Sequence, residues 1–161
     1  MKPKFIMLIG VPGSDKSTYA KKISEKYKIK ILSSDSIRKE LYGSEEIQKD
    51  NWKVFEKLNK IAINSLKNGE SVIYDATNIN MKRRIHLLNS LPICEKRCII
   101  FISSLELCIE RQNFRDRKVP NYVIEKQIKS FQVPYFYEGW DYIDIINYDS
   151  LKIKRLFKES M

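Results

Sequence analysis

A chain of 161 residues, 43% of them hydrophobic, is long enough to form a core, so we expect a single domain over residues 1–161. No apolar run approaches the roughly 20 residues that cross a bilayer, and the run at residues 5–9 is too short for a signal peptide, so we expect a cytoplasmic protein with no membrane partner. Lys and Arg number 30 against 20 Asp and Glu, a formal charge of +10 that fits a nucleic-acid partner and equally a solvated lysine-rich surface.

Short apolar runs alternate with amphipathic segments, a pattern typical of a parallel sheet covered by helices. Five runs predict strands: Lys4 to Ile9, Ile29 to Leu32, Ser71 to Tyr74, Arg97 to Ile102, and Tyr142 to Ile146. Six segments predict helices: Ser17 to Tyr27, Ser44 to Asn68, Asn80 to Asn89, Leu105 to Arg115, Val123 to Phe131, and Ser150 to Lys158. We expect Ser44 to cap its helix and Gly69 to end it in a left-handed conformation.

The first predicted strand leads into a glycine-containing loop that precedes a helix. Glycine lets backbone N–H groups approach a phosphate chain closely, and the helix start adds its positive end. Within the loop, Lys16 is predicted to reach the β- and γ-phosphates, and Ser17 to offer its hydroxyl to Mg²⁺. The pattern predicts a site for ATP, or another nucleoside triphosphate, with Mg²⁺. We expect the nucleotide to contact Gly10, Pro12, Gly13, Ser14, Asp15, Lys16, Ser17 and Thr18.

Asp15 departs from this motif, which has glycine at that position. A carboxylate there can repel the phosphates. It can also point away, pair with a lysine, or accept a hydrogen bond at the helix start. The backbone N–H is present in each case, so we expect the loop to retain nucleotide binding.

A second polar segment, with Asp35 and Arg38, follows the second predicted strand. In open parallel sheets, ligands bind beyond the carboxyl ends of strands, so Asp35 is expected near the phosphate loop. A carboxylate there can accept the proton of an attacking hydroxyl. Arg38, one helical turn later on the same face, can hold an acceptor phosphate. The structural alternative is that Asp35 caps the following helix.

The third predicted strand is followed by Asp75 and Asn78. An apolar strand ending in Asp is how many P-loop proteins present a carboxylate to the water shell of the metal. The pattern is short and common by chance, so its weight comes from following a phosphate loop. We expect Asp75 to reach Mg²⁺ through water.

Arginines cluster farther along, at Arg111, Arg115 and Arg117. The spacing of four puts Arg111 and Arg115 on one face of the predicted helix. A transferring phosphoryl group needs positive charge on its oxygens, and an arginine-bearing lid over about residues 111–133 supplies it when a site closes. A solvated basic helix end is the alternative, which spacing alone slightly favours.

Cysteine and histidine offer no competing chemistry. Cys94, Cys98 and Cys108 lack zinc-ligand spacing, and we expect buried or incidental thiols. His86, the single histidine, is expected on the surface of a helix. Tyr42, Trp52 and Tyr135 can each stack on an acceptor base, although we expect core packing for all three.

In their order along the chain, these motifs resemble the kinase domain of polynucleotide 5′-hydroxyl kinases, within the wider group of P-loop kinases that includes zeta toxins. The resemblance spans about residues 4–147. It implies an α/β P-loop kinase fold, with a five-stranded, mostly parallel sheet flanked by helices and an arginine-bearing lid. It rests on the phosphate loop, Ser33-Ser34-Asp35-x-x-Arg38, Asp75-Ala76-Thr77-Asn78, Glu110-Arg111-x-x-x-Arg115-x-Arg117, Val119-Pro120, Tyr122-Val123-Ile124, Pro134, and Glu138-Gly139-Trp140-Asp141.

On the donor side, the resemblance implies that Lys16 contacts the phosphates and that Ser17 helps to hold Mg²⁺. The match to Arg115 is a lid arginine on the donor phosphates, and Arg111 is expected against the adenine. Asp15 departs from the usual glycine of the family, and we expect this departure to affect the catalytic rate more than the fold.

On the acceptor side, the resemblance implies that Asp35 is the general base on the 5′-hydroxyl. Arg38 is expected to bind the phosphate next to the acceptor nucleoside. Asp75 and Asn78 match positions near the metal and the phosphates, and we include Asn78 among the substrate-binding residues.

The sequence therefore predicts an ATP-dependent kinase that phosphorylates 5′-OH ends of RNA or DNA, as in nucleic-acid end repair. Two alternatives remain, a small-molecule kinase for a nucleoside or sugar, and a nucleic-acid-binding domain that Asp15 has disabled for catalysis. Members of the family are often joined to a phosphatase or ligase domain, for which 161 residues leave no room. We expect any such activity in a separate partner protein. Formation of a homo-oligomer is left open.

Overall fold

The computed structural model describes residues 1–115, 118–147 and 152–156. Its strands are β1 (Lys4–Ile9), β2 (Lys30–Ser33), β3 (Val72–Asp75), β4 (Glu95–Ile102), β5 (Tyr142–Asn147) and β6 (Lys152–Leu156). Its helices are α1 (Lys16–Tyr27), α2 (Ser34–Tyr42), α3 (Asn51–Lys67), α4 (Met81–Ser90), α5 (Leu105–Gln112), α6 (Asn121–Lys129), and a short 3₁₀ helix at Phe136–Glu138.

The strands form one sheet in the order β2-β3-β1-β4-β5-β6. The first five strands run parallel, as the alternation of strands and helices predicts, and β6 pairs antiparallel with β5. The carboxyl ends of β1, β2 and β3 therefore meet at one edge of the sheet, where the phosphate loop and the two acidic segments begin. The fold is that of P-loop kinases, and the part of the chain that the structure describes forms six strands rather than the five expected.

The alternation of side chains along β1 divides the core between the two faces of the sheet. Phe5, Met7 and Ile9 are buried on the face covered by α3 and α4. Ile6 and Leu8 are buried on the opposite face, which α1 covers. All three cysteines are free and buried, as expected, and burial raises the pKa of Cys98 well above its ordinary value. His86 is exposed on α4, also as expected.

The prediction of a helix from Ser150 to Lys158 is wrong. The described part of this segment, residues 152–156, forms strand β6. The outer edge of β5 offers unpaired backbone groups, and an extended segment satisfies them. The guanidinium of Arg155 also donates hydrogen bonds of 2.7 and 3.2 Å to the carboxylate of Asp144 on β5. Ser150 and Lys158 lie outside the described residues.

The helix predicted from Ser44 to Asn68 is shorter than expected, beginning at Asn51. The chain first forms α2, which ends at Gly43 with a φ of 78°. Ser44 caps no helix, because its hydroxyl accepts a hydrogen bond from Glu46 N in a turn. Gly69 adopts a left-handed φ of 79°, as predicted. The N–H of the next residue, Glu70, donates a hydrogen bond of 2.9 Å to the Ser65 carbonyl, which completes the helix end.

Helix α5 also ends early, at Gln112, so Arg111 and Arg115 do not share a helical face. The buried side chain of Gln112 accepts a hydrogen bond of 2.9 Å from Val119 N. This contact holds the chain that follows α5 against the end of the helix. In the last turns, each backbone N–H donates to the carbonyl three residues earlier, as Arg115 N does to the Gln112 carbonyl. Core packing was expected for Tyr42, Trp52 and Tyr135 and holds only for Tyr42, since Trp52 and Tyr135 are 63% and 52% exposed.

Candidate active site

The phosphate loop follows β1 and is held tightly by its surroundings. The N–H of Gly10 donates a hydrogen bond of 3.0 Å to the Thr77 carbonyl, which connects the loop to the segment after β3. Gly13 has a φ of 83°, and a Cβ there would lie 2.5 Å from the backbone oxygen of Cys108 on α5. Glycine is therefore required at position 13 both for the backbone conformation and for close packing against α5.

Asp15 immediately precedes α1 with a φ of 72° and a ψ of 23°. This left-handed conformation explains why the motif has glycine there, and Asp is one of the few other residues that adopt it readily. Its side chain accepts no capping hydrogen bond. It also forms no ion pair within 4 Å among the described residues, so neither compensating contact considered for Asp15 occurs.

Lys16 is buried, and its side chain folds back over the loop. Its Nζ donates to the Val11 carbonyl at 3.0 Å and to the Ser14 hydroxyl at 3.4 Å. Burial lowers the pKa of Lys16 to about 8, with the nearby Asp75 carboxylate opposing this shift. The amine therefore lies inside the loop, with a charge that nearby phosphates would stabilise.

Ser17 and Asp75 meet at the carboxyl end of β3. The Ser17 hydroxyl donates 2.9 Å to Oδ2 of Asp75. Asp75 is buried, and burial raises its pKa while Lys16 and the Ser17 hydrogen bond lower it. A hydroxyl beside a carboxylate supplies the oxygen ligands that Mg²⁺ prefers, directly or through water. The residues present thus fit the metal that the motif implies.

Asp35 and Arg38 form an ion pair at the start of α2, with 3.0 Å between Arg38 Nη1 and Asp35 Oδ1. The spacing of three brings them together, as predicted. Arg38 is buried, and its Nη2 donates 3.0 Å to Oδ1 of Asn51 at the start of α3. The helix cap is Ser33, whose hydroxyl accepts from Ser36 N, and Asp35 occupies the first turn. The Asp35 carboxylate is therefore not used as a helix cap.

The two described arginines of the cluster occupy different positions around the loop. Arg111 donates 2.7 Å to the carbonyl of Gly13 and 3.0 Å to the hydroxyl of Ser103. Arg115 follows α5, close enough for its charge to lower the pKa of Lys16, although burial is the main cause of that shift. Arg117 lies outside the described residues.

Asn78 joins the site to the sheet. It has a φ of 53°, and its Nδ2 donates to the Leu8 carbonyl at 2.7 Å and to the Ala76 carbonyl at 3.2 Å. Its own carbonyl accepts 2.9 Å from Nη1 of Arg84. The side-chain nitrogen of Asn78 thus holds the segment after β3 against the end of β1.

Comparison with known proteins places this site in a family. A family model described as an AAA domain matches residues 5–134. The chain belongs to this family. The phosphate loop and the sheet order agree with this family and with the P-loop kinase fold. Of the described residues, none form a helix long and apolar enough to cross a membrane.

Two curated relatives of this AAA domain are kinases. This chain is 32% identical over 149 residues to an L-seryl-tRNA(Sec) kinase of Methanococcus maripaludis, and the match covers 87% of this chain and 57% of the relative. It is 28% identical over 159 residues to a bifunctional polynucleotide phosphatase/kinase of Schizosaccharomyces pombe, covering 92% of this chain and 35% of the relative. The chain thus spans about half, or less, of the relatives it matches.

A solved structure shares the fold of the AAA domain. It is a chain of the Pnkp1/Rnl/Hen1 RNA repair complex, with a TM-score of 0.71 at 23% identity. The match covers 99% of this chain and 50% of that chain. At this identity, the likeness supports the fold alone.

A buried ion pair behind the AAA-domain site was not foreseen. Arg84 of α4 and Glu138 of the 3₁₀ helix are joined by hydrogen bonds of 2.8 and 3.0 Å. Trp140 Nε1 also donates to Glu138, and Arg84 supports the Asn78 carbonyl. One signal was available, because Arg84 shares the apolar face of its helix with Leu87 and Leu88.

Proposed function

We propose that this protein is an ATP-dependent polynucleotide kinase that transfers the γ-phosphate to the 5′-hydroxyl end of RNA or DNA, in nucleic-acid end repair. The single observation that carries the proposal is the ion pair of Asp35 and Arg38 beyond the carboxyl end of β2. This pair places a carboxylate beside a fixed cation at the sheet edge that also bears the phosphate loop. A base and an anion-binding group together suit a hydroxyl that neighbours a phosphate.

In the proposed reaction, Asp35 accepts the proton of the 5′-hydroxyl as that oxygen attacks the γ-phosphorus. The new oxygen–phosphorus bond forms while the bond from the γ-phosphorus to the bridging oxygen breaks, and that oxygen leaves on ADP. Arg38 binds the phosphate that follows the acceptor nucleoside. Asn78 orients the acceptor end through the segment it holds.

On the donor side, Lys16 and Arg115 balance the charge on the β- and γ-phosphates, and Arg111 borders the nucleotide. The proposed donor contacts also include the loop backbone and hydroxyls from Gly10 to Thr18. Ser17, with Asp75 through water, would hold Mg²⁺. The metal, when bound, neutralises charge on the phosphate oxygens.

The names of the two curated relatives support a nucleic-acid acceptor, since one names a polynucleotide and the other a tRNA. The formal charge of +10 also favours a polyanion. The higher identity to the L-seryl-tRNA(Sec) kinase favours one second candidate, a hydroxyl carried by an aminoacyl-tRNA. Separate proteins would supply any phosphatase or ligase step.

The test is transfer of label from [γ-³²P]ATP to five acceptors in parallel: a 5′-OH RNA oligonucleotide, its DNA counterpart, seryl-tRNA, a free nucleoside and a free sugar. We expect labelled oligonucleotide. Label on seryl-tRNA alone would support the second candidate, and label on the small molecules alone would overturn both. Binding of oligonucleotide without transfer at any ATP concentration would indicate a loop disabled by Asp15.

The role of Asp35 is tested with Asp35→Asn, which keeps the shape of the side chain beside Arg38. We expect transfer to fall at least 10²-fold with ATP affinity unchanged. Glu25→Gln, which neutralises an exposed carboxylate on α1, is the matched control. Transfer by Asp35→Asn at the rate of the control would refute the general-base assignment.

A further inference from the structure

A groove with a volume of about 710 Å³ lies between α3 and α4 on one face of the sheet. We call it the α3–α4 groove. None of the described residues of the phosphate loop lines it, and it shares Asn51, Thr77, Asn78 and Arg84 with the candidate active site and its support. The lining residues that matter for its chemistry are Trp52, Phe55, Lys60, Tyr74, Lys82 and Arg83.

The apolar part of the groove is aromatic and partly exposed. Trp52 begins the wall formed by α3 and is 63% exposed. Phe55, one turn farther along, is half-buried, and the Arg83 guanidinium of α4 lies 6.0 Å from its ring centroid. Tyr74 lies buried in the floor, where its hydroxyl donates 2.6 Å to Asn59. Exposed aromatic faces beside a guanidinium suit stacked nucleobases.

The rim of the groove is basic. Lys60 on α3 and Lys82 and Arg83 on α4 are all exposed, and both helices thus contribute cations. Among the described residues of the lining, Glu56 alone is acidic, and its Oε1 lies 3.3 Å from Nζ of Lys60. These three cations against one carboxylate leave a charge of +2 on the rim, and the fourth cation of the lining, Arg84, is neutralised by Glu138. Positive charge on both sides of a groove that contains aromatic side chains complements a single strand of nucleic acid.

The groove starts at the residues proposed to bind the acceptor. Asn51 lines it and accepts a hydrogen bond from Arg38, whose other nitrogen pairs with Asp35. Thr77 also lines it, and its carbonyl accepts from Gly10 of the phosphate loop. From Asn51 to Ile63, the groove follows α3 for about 18 Å. That length spans about five nucleotides at 3.4 Å each.

We propose that the α3–α4 groove binds the acceptor strand of the nucleic acid, 3′ of the nucleotide whose hydroxyl reacts. Bases stack against Trp52 and Phe55, and phosphates lie along Lys60, Lys82 and Arg83. The direction of the strand rests on the proposed function. Binding of a single strand in the groove does not, because it requires neither ATP nor transfer.

Tryptophan fluorescence reports on this groove directly, because the other tryptophan, Trp140, is fully buried. We expect a 5′-OH RNA decamer, without ATP, to quench Trp52, and Trp52→Phe to remove the change. By polarisation of a labelled decamer, Trp52→Ala should weaken binding at least fivefold. A two-nucleotide acceptor should bind more weakly than the decamer, since it cannot fill the groove.

The double variant Lys82→Ala/Arg83→Ala tests the basic rim. It should weaken decamer binding and lower the slope of log K against log salt by about 1.4, or 0.7 for each phosphate contact. Lys21→Ala/Lys22→Ala is the matched control, since it removes the same charge from exposed positions on α1, on the opposite face of the sheet. The control should change neither quantity beyond a small, general effect of net charge.

The outcomes separate this proposal from the proposed function. Quenching of Trp52 by the decamer without label transfer to it would support the groove and overturn the proposed polynucleotide kinase activity. Transfer to the decamer with Trp52 fluorescence unchanged, or equal loss of binding in the rim and control variants, would overturn the groove. Quenching by an acidic amphipathic peptide and not by RNA would also overturn it, in favour of a protein partner.

Discussion

The hydroxyl of Ser17 lies 2.9 Å from Oδ2 of Asp75, although 58 positions separate the two residues in the chain. The contact joins the start of α1 to the end of β3. It exists because β1 and β3 are parallel neighbours, with Leu8 in register with Asp75. A serine of the phosphate loop and the carboxylate of a short strand motif that is common by chance thereby form one oxygen-rich position.

The first prediction concerns Mg²⁺ at this position. Asp75→Asn and Ser17→Ala should each reduce the strengthening of ATP binding by Mg²⁺ at least tenfold, because each removes an oxygen that orients the metal or its water. Calorimetric titration of ATP with and without Mg²⁺ measures the difference. Ser24→Ala, which removes a hydroxyl from the same helix but outside the phosphate loop, is the control. An unchanged effect of Mg²⁺ in both variants would contradict the metal assignment.

The second prediction concerns Asp15 and separates charge from backbone conformation. Asp15→Asn removes the negative charge beside the phosphates while keeping a residue that tolerates the left-handed region. It should strengthen Mg-ATP binding at least fivefold, the equivalent of about 1 kcal/mol. Asp15→Gly should match or exceed this gain, since it also relieves the backbone at a φ of 72°. Equal affinity in all three proteins would show that the carboxylate does not affect the phosphates.

The third prediction is a pH dependence that originates at Lys16. Its pKa is about 8 in the free protein, and bound phosphates would raise that value, because they stabilise the charged amine. Binding therefore takes up protons, and the Kd for Mg-ATP should rise about tenfold between pH 7 and pH 9 as free Lys16 loses its proton. Calorimetry in buffers with different ionisation enthalpies measures the uptake. Lys16→Met should bind weakly at both pH values and show no such uptake.

The fourth prediction concerns the buried pair of Arg84 and Glu138. Arg84→Met leaves the Glu138 carboxylate buried without its partner and should cost about 3–5 kcal/mol of unfolding free energy. Lys57→Ala breaks the exposed pair with Glu40 and should cost at most about 1 kcal/mol. Urea unfolding followed by circular dichroism compares the two. Arg84→Met/Glu138→Leu should recover part of the loss, and equal costs for the buried and exposed pairs would contradict the expectation.

Local patterns were sufficient for the elements next to the site. The strand Lys4–Ile9 is a continuous apolar run after its first residue, and it was predicted residue for residue. Asp35 and Arg38 meet because three residues make about one turn of a helix, a relation that holds within one segment. The left-handed Gly69 likewise follows from local backbone preference.

Predictions that depended on distant contacts were the ones that differed. Residues 152–156 form a strand because β5 has an open edge, which their own sequence does not contain. Helix α5 ends at Gln112 because the side chain of that residue accepts a hydrogen bond from the backbone N–H of Val119. Trp52 is exposed because α3 and α4 separate around a groove instead of closing over it.

The sequence by itself determined that this protein is built around a phosphate loop, because glycine, lysine and serine at fixed spacing can be recognised without any partner. Only the tertiary structure decided which residues share the site. Strand order placed Asp75 beside Ser17, and the packing of α2 against α3 joined Arg38 to Asn51 and so to the α3–α4 groove. The reason is physical: spacing along a chain controls contacts within one helix or loop, whereas contacts between segments depend on how the sheet assembles.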